Sequence, residues 1–274
     1  MAGIEFLSQG TKVVAMGHSE KIEQAFTTQA EAFEDPSRNR VFTSDARWVF
    51  ERLPVTGDDI VLDVAAGTGH AARQLAGSAR TVVALDATEA MLSRGQAEAA
   101  AEGCDNVLFM RGDAAALPFL DGSFDVVVSR FAAHHFEHPE AVVAEMVRCT
   151  RPGGYVALVD LVADEDPEVA EEQNRLERLR DPSHTRMLAA IELQMLLAAA
   201  GLEAVDVATR PLERPLLPWF AQAQTPAHTA GEIRQALDAD LEGARATGFR
   251  PRTDEDGDMW FTQTFGSAIA SKPA

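Results

Sequence analysis

Five short apolar runs recur between residues 60 and 162: "IVLDVAA" (60–66), "TVVALDA" (81–87), "NVLFMRGD" (106–113), "FDVVVSRF" (124–131) and "GYVALVDLV" (154–162). Each is rich in Val and Leu without strict alternation, the pattern of strands covered on both faces. Helix-like stretches separate them. "TEAMLSRGQAEAAAEG" opens on Thr88 as an N-cap and stops at Gly103, a natural left-handed end. "HPEAVVAEMVRCTRPGG" places Val143, Met146, Val147 and Thr150 on one stripe before Pro152-Gly153-Gly154 ends it. Such alternation predicts an α/β chain with a Rossmann-like, doubly wound, mostly parallel sheet and helices on both faces.

Beyond residue 162 the rhythm changes. "TRMLAAIELQMLLAAAG" (185–201) reads as an amphipathic helix with Leu188, Ile191, Met195 and Leu202 at helical spacing. "EAVDVATRPL" and "MWFTQTFGSAIAS" (259–271) supply two further strands, seven in all. The stretch between them exceeds the ~2–6 residues usual for a connection in a compact sheet, so it should form a small cap. Residues 16–53 also look helical. The expected organisation is an N-terminal helical cap segment (1–56), a core (57–210), an inserted cap or lid (211–257) and a final core strand (258–274).

Charge narrows the partners. The formal net charge is −19, and no Lys/Arg cluster relieves it. A surface this acidic repels phosphate backbones and anionic lipid, which argues against nucleic acid and membrane partners. No apolar stretch approaches the ~18 residues of a membrane helix, and no signal peptide is visible. Two cysteines, Cys104 and Cys149, suit a reducing cytoplasm and read as packing residues. The acidic stretches "DEDPEVAEE" (164–172) and "DEDGD" (254–258) read as solvated loop or helix start.

"VLDVAAGTGH" (61–70) carries the most chemistry. A first strand that ends in a glycine turn and opens a helix is a nucleoside-binding arrangement, because glycines bend tightly and let a ligand approach the backbone. Yet Asp63 just before that turn would repel a pyrophosphate and attract a cation. S-adenosylmethionine (SAM) carries a sulfonium and an amino group and no phosphate, so it suits such a rim. Asp86 ends the second strand, placed for ribose hydroxyls. Asp113 ends the third, where it could accept the adenine amino group. Each acid alone could equally cap the helix that follows. Together they line one crevice at the C-terminal ends of three strands.

"VLDVAAGTGHAARQLA", "VVALDATEAML", "GDAAALPFLDGSFDVVVSRFAAHHF" and "RPGGYVALVD" resemble the successive motifs of class I SAM-dependent methyltransferases, most of all the ubiquinone/menaquinone branch. "IEQAFTTQAEAFEDP" resembles the cap such enzymes fold over the cofactor, and "NRLERLRDPSHTRML" resembles a segment of uncharacterised bacterial members. The resemblance implies a seven-stranded sheet with an antiparallel last strand, SAM as cofactor and S-adenosylhomocysteine as product. It also implies that Asp63, Ala65, Gly67 and Gly69 surround the methionine part, and that Asp86 holds the ribose with Ala87 and Met91 packing near it. Asp113 and Ala114 would meet the adenine, with Ser129, Arg130 and Phe131 lining the floor near the sulfonium. The family usually has glycine where Ala65 stands; a methyl is tolerable if the backbone there keeps a negative φ.

"RFAAHHFEHP" (130–139) follows the fourth strand, next to the transferred methyl. His134 and His135 are the candidates for a general base. The alternative is that one packs structurally and the other caps the next helix. His134 and His138 sit four apart, but H-E-x-x-H is absent and Pro139 starts a helix, so no metal site is expected. In "RDPSHTR", His184 is a second site candidate, while Ser183 or Asp181 read as a helix start. Trp219 and Phe220 could clamp an aromatic or lipophilic acceptor, or form the core of their own cap. Methyl transfer to an O, C or N atom of a small, hydrophobic or aromatic metabolite is the expected activity, with homodimerisation left open. A SAM-fold binding or regulatory module is the alternative. An NAD-dependent oxidoreductase is a third, against which Asp63 and Ala72 (in place of a third glycine) both speak.

Overall fold

The computed structural model describes residues 17–35 and 47–274. Its strands are β1 (Ile60–Val64), β2 (Thr81–Asp86), β3 (Val107–Arg111), β4 (Phe124–Arg130), β5 (Thr150–Val162), β6 (Glu203–Pro215), β7 (Arg252–Thr253) and β8 (Met259–Ser271). They form one sheet in the order β3-β2-β1-β4-β5-β8-β6, with the short β7 paired to β8. The pairings from β3 through β5 are parallel, while β8 runs antiparallel to both β5 and β6. This is the doubly wound, mostly parallel α/β sheet that the alternation predicts, and the last strand is the antiparallel one.

Successive residues of a strand face opposite sides, so a strand apolar throughout needs cover on both. On one side Leu62, Val64 and Val127 pack against helices α5 (Pro139–Cys149) and α7 (Ala190–Ala199) through Val143, Met146, Leu193 and Leu197. On the other, Val61, Val82 and Val126 meet Ala72 and Leu75 of α3 (His70–Ala76). Helix α4 (Glu89–Glu102) ends at Gly103, whose φ of +71° supplies the left-handed stop. Strand β3 departs from expectation. The connection to β4 contains no helix, so Leu108 and Met110 stay 56% and 40% exposed on this edge strand.

Two helices also differ from their sequence patterns. Helix α5 stops at Cys149 and Thr150 is already extended, its Oγ1 donating to the Met146 carbonyl at 2.7 Å. The chain therefore turns into β5 before the Pro-Gly-Gly stretch. Helix α7 begins only at Ala190, where the Glu192 carboxylate accepts from the Ala189 N–H at 2.8 Å. Leu188 thus lies before the helix and does not set its phase. Leu193 and Leu197 are the buried side chains, while Ile191 and Met195 face outward at 56% and 62% exposure.

Strand β6 continues past residue 211 to Pro215, which pairs with Trp260, so the inserted helices start later than expected. They are α8 (Leu216–Gln222) and α9 (Ala227–Leu241). With Leu176 of α6 (Pro167–Arg180) they enclose a separate aromatic core of Trp219, Phe220, Phe249 and Phe261. Asp166 caps α6, its carboxylate accepting from the Glu168 N–H at 2.9 Å, which gives the "DEDPEVAEE" run its helix-start role. At the N-terminal end, α1 (His18–Gln29) and α2 (Arg47–Phe50) fall within the stretch read as helical. The parts of that segment at 1–16 and 36–46 lie outside the described residues.

Candidate functional site

The turn from β1 into α3 is built from left-handed backbone: φ is +54° at Ala65, +57° at Gly67 and +71° at Gly69. Ala65 therefore violates the condition set for it, occupying a region that residues with a Cβ rarely adopt. The two glycines serve different ends. A Cβ on Gly67 would meet nothing within 4 Å, leaving open space beside the backbone. A Cβ on Gly69 would lie 2.7 Å from the Phe109 ring, so this glycine admits a core side chain.

Beside Gly67 opens a cavity of about 620 Å³, within the range of small-molecule sites. Asp63, Asp86 and Asp113 all line it, with Ala65, Gly67, Ala87, Ala114, Arg130 and Phe131. Gly69, Met91 and Ser129 do not. Met91 is wholly buried and Ser129 is 2% exposed, both behind the wall, where carry-over by position could not show which way they face.

Each acid is held differently. Asp63 Oδ2 accepts the Ala72 N–H at 3.0 Å, whereas Oδ1 is buried with no partner. Burial pushes its carboxyl up to about 7, against the Ala72 hydrogen bond and the Arg130 guanidinium, which pull it down. Asp86 accepts from Gly67 N–H at 2.7 Å and from Thr88 N–H at 2.8 Å, so it pins the glycine turn while it lines the cavity. Burial raises its pKa as well, with those backbone bonds opposing. Asp113 lies two residues past the end of β3, its Oδ1 accepting from Ala115 N–H at 2.9 Å.

The two adjacent histidines part company. His135 lines the cavity and His134 does not. His134 Nδ1 sits 2.6 Å from Asp160 Oδ1, deep in the core; burial alone would lower its pKa, but Asp160 foremost, with Glu177 and Asp181, holds it above the ordinary value. His135 Nδ1 donates to the Ser183 carbonyl at 2.9 Å, which makes Nε2 the ring nitrogen with the lone pair. Burial and the neighbouring His134 charge bring His135 down to about 4. Ser183 and Asp181 start no helix; they follow the end of α6, where Asp181 Oδ1 accepts from Ser183 Oγ at 2.6 Å. His184 is buried, with Nε2 3.2 Å from Asn174 Oδ1, away from the cavity lining. His138 is exposed at the start of α5.

The N-terminal segment, likened from its sequence to a cap over the cofactor, supplies a wall whose individual residues the sequence reading did not name. His18, Ile22 and Phe26 of α1 line the cavity, together with Phe33, and their spacing of four puts them on one helix face. His18 Nε2 donates to the His135 carbonyl at 2.9 Å, and the Phe26 and His135 rings meet edge-on at 5.1 Å. Arg111, also missed, pairs with Glu23 at 3.1 Å. No residue of the inserted cap lines this cavity; Trp219 and Phe220 fill their own core.

A parallel sheet whose first βα turn is glycine-rich, with acids at three strand ends around one cavity, defines the nucleoside-binding class of α/β enzymes. A family model described as "Methyltransferase domain" matches residues 62–158. The chain is 34% identical to the uncharacterised methyltransferase YcgJ of Bacillus subtilis over 82% of its own length and 88% of that protein's. The crystal structure of YcgJ superposes with a TM-score of 0.76 at 32% identity, covering 83% of this chain and 97% of that one. This chain belongs to the class I SAM-dependent methyltransferases. Demethylmenaquinone methyltransferase from Renibacterium salmoninarum is 41% identical over only 42% of this chain and 46% of its own, the shared core. A Haemonchus contortus phosphoethanolamine N-methyltransferase, solved with S-adenosylhomocysteine, shares the fold at a TM-score of 0.64 and 16% identity, covering 95% of this chain and 61% of that one.

Proposed function

We propose that this protein transfers a methyl group from SAM to an O, C or N atom of a small metabolite with an apolar or aromatic body. One observation carries the reading: a single cavity joins the three acids to a wall of Phe26, Phe33, Phe131, Phe136 and His135. The residues fit the cofactor. Asp63 Oδ1, buried and unpartnered, suits an ammonium group, and the open space at Gly67 suits close approach to the backbone. Asp86 and Asp113 retain acceptor capacity for hydroxyl and amino donors. The net charge of −19 supports a small-molecule acceptor over nucleic acid.

When bound, SAM supplies an electrophilic methyl on a sulfonium, open to in-line displacement. The chain's part is to orient the acceptor and to exclude water with the aromatic wall. His135, neutral at pH 7, offers Nε2 as a hydrogen-bond acceptor to an O–H or N–H on the nucleophile. His134, tied to Asp160, supports that segment from the core.

Calorimetry with SAM and with NAD, followed by a screen for S-adenosylhomocysteine release with phenols, quinols and amines, tests the proposal. We expect SAM to bind, NAD not to bind, and at least one acceptor class to turn over. SAM binding with no turnover would favour a binding module; tight NAD binding would overturn the assignment.

A further inference from the structure

Glu34, just after the 3-10 turn Ala30–Ala32, reaches across to the glycine turn, which is 34 residues further along the chain. Its Oε1 accepts from the Thr68 hydroxyl, and its Oε2 accepts from Arg73 Nη2 at 2.9 Å. Arg73 Nη1 donates to the Thr68 carbonyl at 2.7 Å, and Nε donates to Glu102 at 3.1 Å. The Arg73 side chain is 2% exposed and that of Glu34 is 11% exposed, so this ion pair is shielded from water. A Cβ on Gly95 would lie 2.5 Å from the Thr68 carbonyl oxygen, which shows how closely the turn sits on α4. Asp86 grips the same turn through Gly67 N–H.

A turn with alanine at a φ of +54° needs this degree of restraint, since a side-chain-bearing residue leaves that region unless its surroundings over-determine it. We propose that Glu34 is a positioning residue for the cofactor: through Thr68 and Arg73 it holds the strained turn at Ala65–Gly69 in the shape that cradles the ligand. The N-terminal segment then belongs to the cofactor side of the site as well as the acceptor side. This inference rests on the SAM reading above.

Calorimetry with S-adenosylhomocysteine on the full chain tests it, comparing wild type, Glu34→Gln, Ala65→Gly and the double variant. Loss of the charge-assisted contacts in Glu34→Gln should weaken binding about tenfold. Ala65→Gly should recover most of that loss in the double variant, because glycine adopts the turn unaided. A merely structural Glu34 would lower the melting temperature of the ligand-free protein and leave affinity alone. Unchanged affinity in Glu34→Gln, or a double variant as weak as Glu34→Gln, would overturn the proposal. Should Glu34→Gln not fold, Thr68→Val removes the same contact from the other side and is read the same way. Failure of the wild type to bind at all would instead sink the SAM reading.

Discussion

Two helical additions flank the core, and they meet the site in opposite ways. The N-terminal segment puts His18, Ile22, Phe26 and Phe33 into the cavity wall and ties itself to the core both by polar contacts and by Val49 and Leu53, which are buried among core side chains. The insertion after β6 packs its aromatic side chains against α6 and β8, away from the cavity, and touches the site from behind. There Arg180 donates to the Trp219 carbonyl at 3.1 Å, just before the Asp181–Ser183 stretch that holds His135. An aromatic cluster of this kind in a sequence is thus no guide to a binding wall; its partners decide whether it closes on itself.

The sharpest way to break this contrast is Trp219→Ala. Trp219 is 1% exposed among Phe249 and Phe261, so truncation should cost about 3–5 kcal/mol of stability, read by denaturant unfolding. The folded fraction should keep its affinity for S-adenosylhomocysteine; an affinity that falls as well would place the insertion in the cofactor site. Next come the adjacent histidines. His134→Ala strands the Asp160 carboxylate in the core and should cost about 3–5 kcal/mol of stability. His135→Ala should be far milder in unfolding while lowering turnover. Equal stability losses with equal turnover losses would erase the division between them.

A smaller effect concerns pH. The Asp63 carboxyl stands at about 7 in the ligand-free protein, and a cationic amine needs it ionised. Below pH 7 each unit should therefore weaken cofactor binding by up to about tenfold, the proton having first to leave, and Asp63→Asn should flatten the curve. A wild-type affinity that is flat between pH 6 and 8 would detach Asp63 from the amine. The smallest expected change is Ala65→Gly alone. Relief of the left-handed strain and the greater freedom of the unfolded chain nearly cancel, so the melting curve should shift by less than about 1 kcal/mol.

Much of the core was legible in the sequence. Buried parallel strands advertise themselves as Val/Leu runs, and the acids at their ends follow from where the runs stop. What was not legible is direction and distance. Gly69 and Gly67 look alike in "AAGTGH", yet the Phe109 ring, forty residues away in the chain, fills the space beside one of them. Met91 follows a helix start that does border the cavity, but its side chain turns inward. The spacing of His18, Ile22 and Phe26 is visible as a helix face; that the face lands on His135 depends on a contact spanning 117 residues. Exposed Ile191 and Met195 show the converse, since a late helix start rotated the stripe away from the sheet.

The central claim is that Asp63, Asp86 and Asp113 jointly receive an adenosyl sulfur donor, with the acceptor space beside His135. A crystal structure with S-adenosylhomocysteine tests it most directly. The account predicts the amine on Asp63 Oδ1, the ribose on Asp86, the adenine near Asp113 and the sulfur facing the aromatic wall. A ligand bound elsewhere, or bound here without touching those three carboxylates, would contradict it.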